Sequence, residues 1–101
     1  MELQEMLTRG ADYIETNGLC QNGGYFADEE SDNPRYDPME NESRPACAVG
    51  ACAATAGVDV TVVECMLHTA GLDIYELQRF NDNAASASVV TRHMRKLAGE
   101  L

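Results

Sequence analysis

Pro45-Ala-Cys-Ala-Val-Gly-Ala-Cys-Ala-Ala-Thr-Ala-Gly-Val58 is the stretch that decides the fold. No charged side chain falls within it, although charged residues make up 24% of the chain. Its side chains are nearly all small. A helix that is apolar all round is a buried helix. The stretch is also too short to cross a bilayer, which takes about 20 residues. It is therefore predicted as a central helix with the other elements packed around it. Pro45 would sit in the first turn, where proline is tolerated, with Ser43 as a cap just before. Ala46, Gly50, Ala53 and Gly57 recur as a stripe of tiny residues that lets a neighbouring helix come close. Gly57 marks the C-terminal end.

Downstream, Thr61-Val62-Val63-Glu64 fits a capping box, in which the Thr61 hydroxyl accepts from the Glu64 backbone N–H and the Glu64 carboxylate reaches back. Val60 and Cys65 stand at the hydrophobic-staple positions. This predicts a helix from Val62 to Ala70 that ends at Gly71. Asp73-Ile74-Tyr75-Glu76 repeats the logic with an acidic cap, Leu72 and Leu77 form a second staple, and the helix runs to about Phe80. Asn81-Asp82-Asn83 is read as a break that caps the last helix. That helix has an apolar row of Val90, Met94, Leu97 and Leu101, with Val89 and His93 alongside. Arg92, Arg95 and Lys96 crowd its C-terminal half, where the dipole favours cations and where they can pair with the acidic N-terminal part.

Upstream, Leu3, Met6, Leu7, Ala11 and Ile14 recur at helical spacing, which predicts a first helix near Glu2 to Thr16. Gly10 costs about 1 kcal/mol relative to Ala in mid-helix, or marks close packing. Asn17-Gly18 is a stop signal, with Gly18 suited to the left-handed position.

Residues 19–43 are irregular. Gly23-Gly24-Tyr25-Phe26-Ala27 reads as a short extended piece pinned by its two aromatics. From Asp28 to Arg44 there are seven acids against two arginines, half of the chain's formal net charge of -10. A loop this long in a small domain is functional or disordered as a rule, and the plain reading is a solvated acidic loop.

Together these features predict an all-α fold in a single domain of residues 1–101. About five short helices surround a central small-residue helix, with one long acidic loop at 28–44. The acidic balance repels nucleic acid phosphate and steers the protein toward a basic partner. The N-terminus lacks a basic n-region and an apolar run, and no membrane span is evident, so a cytoplasmic location is expected. Cys20, Cys47, Cys52 and Cys65 are then expected as reduced thiols.

Cys47-Ala48-Val49-Gly50-Ala51 on the small-residue helix is followed about thirty residues later by Phe80-Asn81-Asp82. In this order the two motifs resemble a family of short actinobacterial and actinophage proteins of unknown function. That family has a Cys-Ala-x-Gly-Ala helix, a Trp-Asn-Asp motif and an N-terminal helix ending in Gly-Trp. The chain has no Trp: Leu19 follows Gly18, and Phe80 precedes Asn81. A hydrophobe is kept at both places, which fits packing more than chemistry. The resemblance implies a phage or actinobacterial origin and transfers no activity.

For catalysis, Cys47 lies near a helix start, where the dipole lowers a thiol pKa. His68 and His93 are the candidate bases, and Asn81 or Asp82 could orient one of them. The alternative is that Cys47 is a small core residue. For zinc, Cys47, Cys52, Cys65 and His68 are soft ligands, but Cys47 and Cys52 diverge by about 140° around one helix, so no metal is expected. Nor does the acidic loop have the spacing of a calcium loop. No cofactor is expected.

Two functional classes follow. The favoured one is a non-enzymatic phage-type accessory that binds a basic-surfaced host protein through Tyr25, Phe26, Asp28, Glu29, Glu30, Asp32, Tyr36 and Asp37. Charge would steer the encounter and the aromatics would anchor it. The rival is a cysteine-dependent enzyme using Cys47. The very apolar central helix also leaves open a homodimer.

Overall fold

Five α-helices make up the regular structure of the described residues, 1–22, 25 and 44–101, in a computed structural model of the chain. They are α1 (Leu3–Asn17), α2 (Ala48–Ala56), α3 (Val60–Thr69), α4 (Ile74–Asn83) and α5 (Ala87–Glu100). The fold is all-α, as the periodicities predict. Among the described residues the only strand-like pairing is an isolated parallel bridge between Leu19 and Ala46.

The central position of the small-residue helix follows from its composition. Residues 48–53 of α2 are all buried. α1 lies against both α2 and α5, while α3 and α4 close on the remaining sides of α2. Leu7, Ile14, Leu67 and Met94 reach into this core and are fully buried. Each such side chain contributes about 1.5–3 kcal/mol of hydrophobic stabilisation. The apolarity of α2 is thus met by helices of its own chain.

Two glycines permit the closest approaches. A Cβ on Gly10 would lie 2.9 Å from Met94 Cε and 3.1 Å from Cys52 Sγ, so α1 touches α2 and α5 at that point. A Cβ on Gly50 would lie 2.3 Å from the Tyr25 carbonyl oxygen. The small residue at position 50 therefore makes room for a loop backbone, not for a neighbouring helix as the stripe suggests. Gly57 is exposed, closes α2 in the left-handed conformation at φ 69 and ψ 33, and begins the 109° bend into α3.

Several helix ends differ from expectation, each for a physical reason. α2 begins at Ala48, and Pro45 precedes it. Residue 46 is held extended: the Cys20 N–H donates to Ala46 O at 3.0 Å and the Ala46 N–H donates to Gly18 O at 3.2 Å. The cap is Cys47, whose Sγ accepts from the Gly50 N–H at 3.4 Å. The expected cap, Ser43, lies outside the described residues. α3 starts at Val60, and Asp59 displaces Thr61 as its cap. Asp59 Oδ1 accepts both the Thr61 N–H and the Thr61 hydroxyl at 2.9 Å. With a carboxylate as the acceptor, the hydroxyl becomes a donor and the capping box does not form. At α4 the acidic cap is as expected, with Asp73 Oδ1 accepting from the Tyr75 and Glu76 N–H groups. That helix does not stop at Phe80, however. Asn81, Asp82 and Asn83 belong to its last turn, and the break falls at residues 84–86.

On α5 the buried row is Val90, Thr91, Met94 and Ala98. Leu97 is half-buried and Leu101 is half-exposed. No base falls in the last turn. Arg95 instead pairs across to α1, with Asp12 at 2.8 Å and with Glu15. Both carboxylates raise the guanidinium pKa, Asp12 contributing more. Among the described residues no single helix is long and apolar enough to cross a membrane.

Candidate functional site

Of the residues singled out for chemistry, Cys47, Asn81 and Asp82 meet at the N-terminus of α2, where they hold the fold, while His68 and His93 lie elsewhere. Three elements meet at that end: residues 18–22, the start of α2 and the last turn of α4. Asn81 joins all three. Its Oδ1 accepts the Ala48 N–H at 2.9 Å, and its Nδ2 donates to Cys20 O at 2.9 Å and to Asp82 Oδ1 at 3.2 Å. The side chain is 1% exposed. A buried amide with both ends used is a satisfied structural group. Gln21 Nε2 donates to the Asn81 and Ala84 carbonyls at 2.9 Å, and the Asn22 N–H donates to Asp82 Oδ1 at 2.9 Å. Asn81 and Asp82 are thus engaged with backbone groups rather than orienting a histidine.

Cys47 sits at the same junction and is 1% exposed. The helix start does supply amides, since the Gly50 and Val49 N–H groups favour the thiolate. Burial outweighs them and pushes the thiol up to about 12, so it is protonated at neutral pH. The expected dipole activation is therefore overruled by desolvation. Cys52 is also buried and is likewise pushed up to about 12. His68 is exposed on the last turn of α3. His93 stacks on Phe80, with centroids 4.1 Å apart and planes 27° from parallel. It lines a small cleft of about 260 Å³ with Asp73, Glu76 and leucines of α4 and α5. Cys47 is not part of that cleft.

A second feature escaped sequence reasoning. An open groove of about 650 Å³ runs between the start of α1 and the outer face of α3. Leu3, Val62, Cys65, Met66, Ala70 and Leu101 give it an apolar floor and walls, and Glu2 stands at its edge. Val62 is 43% exposed and Leu101 50% exposed. A signal for it was in the sequence. α3 turns Val60, Val63 and Leu67 into the core and Val62 and Cys65 outward, while Met66 is half-buried against the core and also lines the groove.

A model described as Family of unknown function (DUF6197) matches residues 1–100, nearly the whole chain. The chain belongs to this family. Neither a curated protein nor a solved structure matches it.

In this DUF6197 chain, the residues expected to bind a partner divide into two groups. Phe26, Asp28, Glu29, Glu30, Asp32, Tyr36 and Asp37 lie outside the described residues. Tyr25 is described and is fastened down. Its carbonyl accepts the Cys47 N–H at 3.0 Å, its hydroxyl donates to Glu64 Oε2 at 3.0 Å, and the side chain is half-buried against the core. Tyr25 is therefore tied to both α2 and α3, a structural duty that its aromatic character alone does not reveal. Among the described residues no three His, Cys, Asp or Glu side chains are grouped to hold a metal ion.

Proposed function

We propose that this DUF6197 protein is a small, acidic, non-enzymatic accessory that binds a basic-surfaced protein through residues 28–44. The single observation that carries the reading is the fastening of Tyr25 to both α2 and α3, three residues before the acids begin. Residues 28–44 follow this fixed point in the chain, and their seven acids against two arginines suit electrostatic steering of a cationic partner. The buried, protonated state of Cys47 supports binding over thiol catalysis. The likeness of Cys47–Ala51 and Phe80–Asp82 to actinobacterial and actinophage proteins supports a bacterial host protein as the partner, met in the host cytoplasm.

The test is affinity capture from a bacterial lysate. Wild type is compared with Cys47→Ala and with a variant in which Asp28, Glu29, Glu30 and Asp32 are changed to their amides. The expected result is a salt-sensitive partner that the amide variant loses and Cys47→Ala keeps, with circular dichroism showing both variants folded. Loss that follows Cys47 in a folded protein would overturn the reading.

A further inference from the structure

We infer that the groove between α1 and α3 is a second interaction surface, one that takes a short amphipathic helix of a partner protein whose polar face is basic. The inference stands on α3. A surface helix buries one stripe and solvates the rest with polar side chains. α3 follows that rule only in part, because Val62 is exposed beside the exposed polar residues Thr61, His68 and Thr69. Its single Asp or Glu, Glu64, is half-buried and bonded to the Tyr25 hydroxyl. Val62, Cys65 and the half-buried Met66 line the groove with Thr61 and Thr69, and no Lys, Arg, Asp or Glu is among these five positions. Leu3 and Gln4 line it from α1, and Leu101 lines it from beyond α5. Two helices with an apolar trough between them form the seat for a third, bound through apolar anchors at helical spacing. The floor runs from Thr61 to Ala70. At about 1.5 Å per residue that is about 14 Å, the length of a helix of roughly three turns.

Charge selects the occupant. Glu2 is the one charged residue that lines the groove among the described residues. The chain as a whole stands at -10. A second copy would bring an equal negative charge to the contact, and an acidic helix would meet the same repulsion. Lysines or arginines flanking an apolar stripe meet attraction at both the edge and long range. None of the described residues that line the groove belongs to 28–44, so the inference does not depend on the acidic segment being an interface.

The probe is a fluorescein-labelled synthetic peptide of about fourteen residues, with leucines on one helical face and lysines on the other. A control peptide has glutamates in place of the lysines. Binding is read by fluorescence anisotropy, with light scattering run in parallel. The lysine peptide is expected to bind wild type and the glutamate peptide to bind at least about tenfold more weakly. Val62→Asp is expected to weaken the lysine peptide about tenfold, even though it adds a negative charge. The same ratio is expected in a background where Asp28, Glu29, Glu30 and Asp32 are amides, which separates the groove from the acidic segment. Unchanged or tighter binding by Val62→Asp would overturn the inference, because the lysine peptide would then be held by charge alone. Equal binding of the two peptides would overturn it as well. So would a wild-type dimer that Val62→Asp splits into monomers, which would give the groove to a second copy.

Discussion

The N-terminus of α2 and the groove between α1 and α3 invert the usual association of residue type with role. The α2 junction holds the residues with chemical potential: a cysteine at a helix start, an asparagine, an aspartate. It is nine-tenths or more buried at Cys47 and Asn81, and among the described residues no buried side-chain nitrogen or oxygen lacks a partner. The groove holds mostly valine, methionine, leucine, alanine and threonine, with Cys65 and Glu2 among them, and it is open. The comparison teaches that reactive residue types inside a small domain can be consumed by the fold. A surface that needs an outside partner shows itself by what is left uncovered.

The largest expected effect breaks the junction. Asn81→Ala strands the Ala48 N–H and removes the donor to the Cys20 carbonyl, both in a buried setting. Each unsatisfied buried group costs about 1–3 kcal/mol, so a loss of about 3 kcal/mol or more is expected from urea denaturation. A loss under about 1 kcal/mol would mean that water reaches the junction. Gly50→Ala comes next. Its Cβ would lie 2.3 Å from the Tyr25 carbonyl oxygen, and that oxygen also accepts the Cys47 N–H, so it cannot move without breaking a bond. Overpacking here is expected to cost about 1–3 kcal/mol. An unchanged urea midpoint would show that residue 25 is not seated on α2.

Why the helices were legible and the junction was not has a physical basis. Periodicity reports a face: the row on α1 marks its buried side, while on α5 Val90 and Met94 do so but Leu97 is half-buried and Leu101 half-exposed. Local caps were legible where a strong acceptor acted within three residues, as at Asp73. Asp59 was missed because a threonine with a downstream glutamate looks like a cap until a carboxylate two residues earlier takes the bond. Asn81 reads locally as a helix breaker because asparagine favours turns and caps. Its actual partners lie 33 and 61 residues away in the chain, and no local pattern encodes them. The fate of Cys47 turned on burial against dipole, and only the assembled fold sets the burial.

A third, smaller effect sharpens the comparison through pH. Cys47 and Cys52 stand at about 12 in the fold against an ordinary 9.0. Between those values the unfolded chain has released protons that the native thiols keep. Stability therefore falls as pH rises from about 9 toward 12, and below about 9 it does not depend on these groups. The slope is about 1.4 kcal/mol per pH unit for each thiol. Urea midpoints for wild type and Cys52→Ala at pH values of about 8 and 10 isolate one thiol from other alkaline titrations. The gap between the two proteins is expected to narrow or reverse by about 1.4 kcal/mol on that rise. Parallel curves would place Cys52 in contact with solvent.

The smallest expected effect is at the groove, and its smallness is the point. Val62 is 43% exposed and lies in the first turn of α3, a helix whose first turn holds no acid. Val62→Asp removes little buried apolar area. It also puts a carboxylate near a helix N-terminus, where the dipole favours it by about 0.3–1 kcal/mol. The two terms nearly cancel, so stability is expected to stay within about 0.5 kcal/mol of wild type, as for a surface position away from core features. The contrast with Gly50→Ala and Asn81→Ala would then mark a surface whose apolar side chains the fold does not need. A loss above about 2 kcal/mol would place Val62 among the core contacts of α3, and its valine would then be explained by packing within the chain.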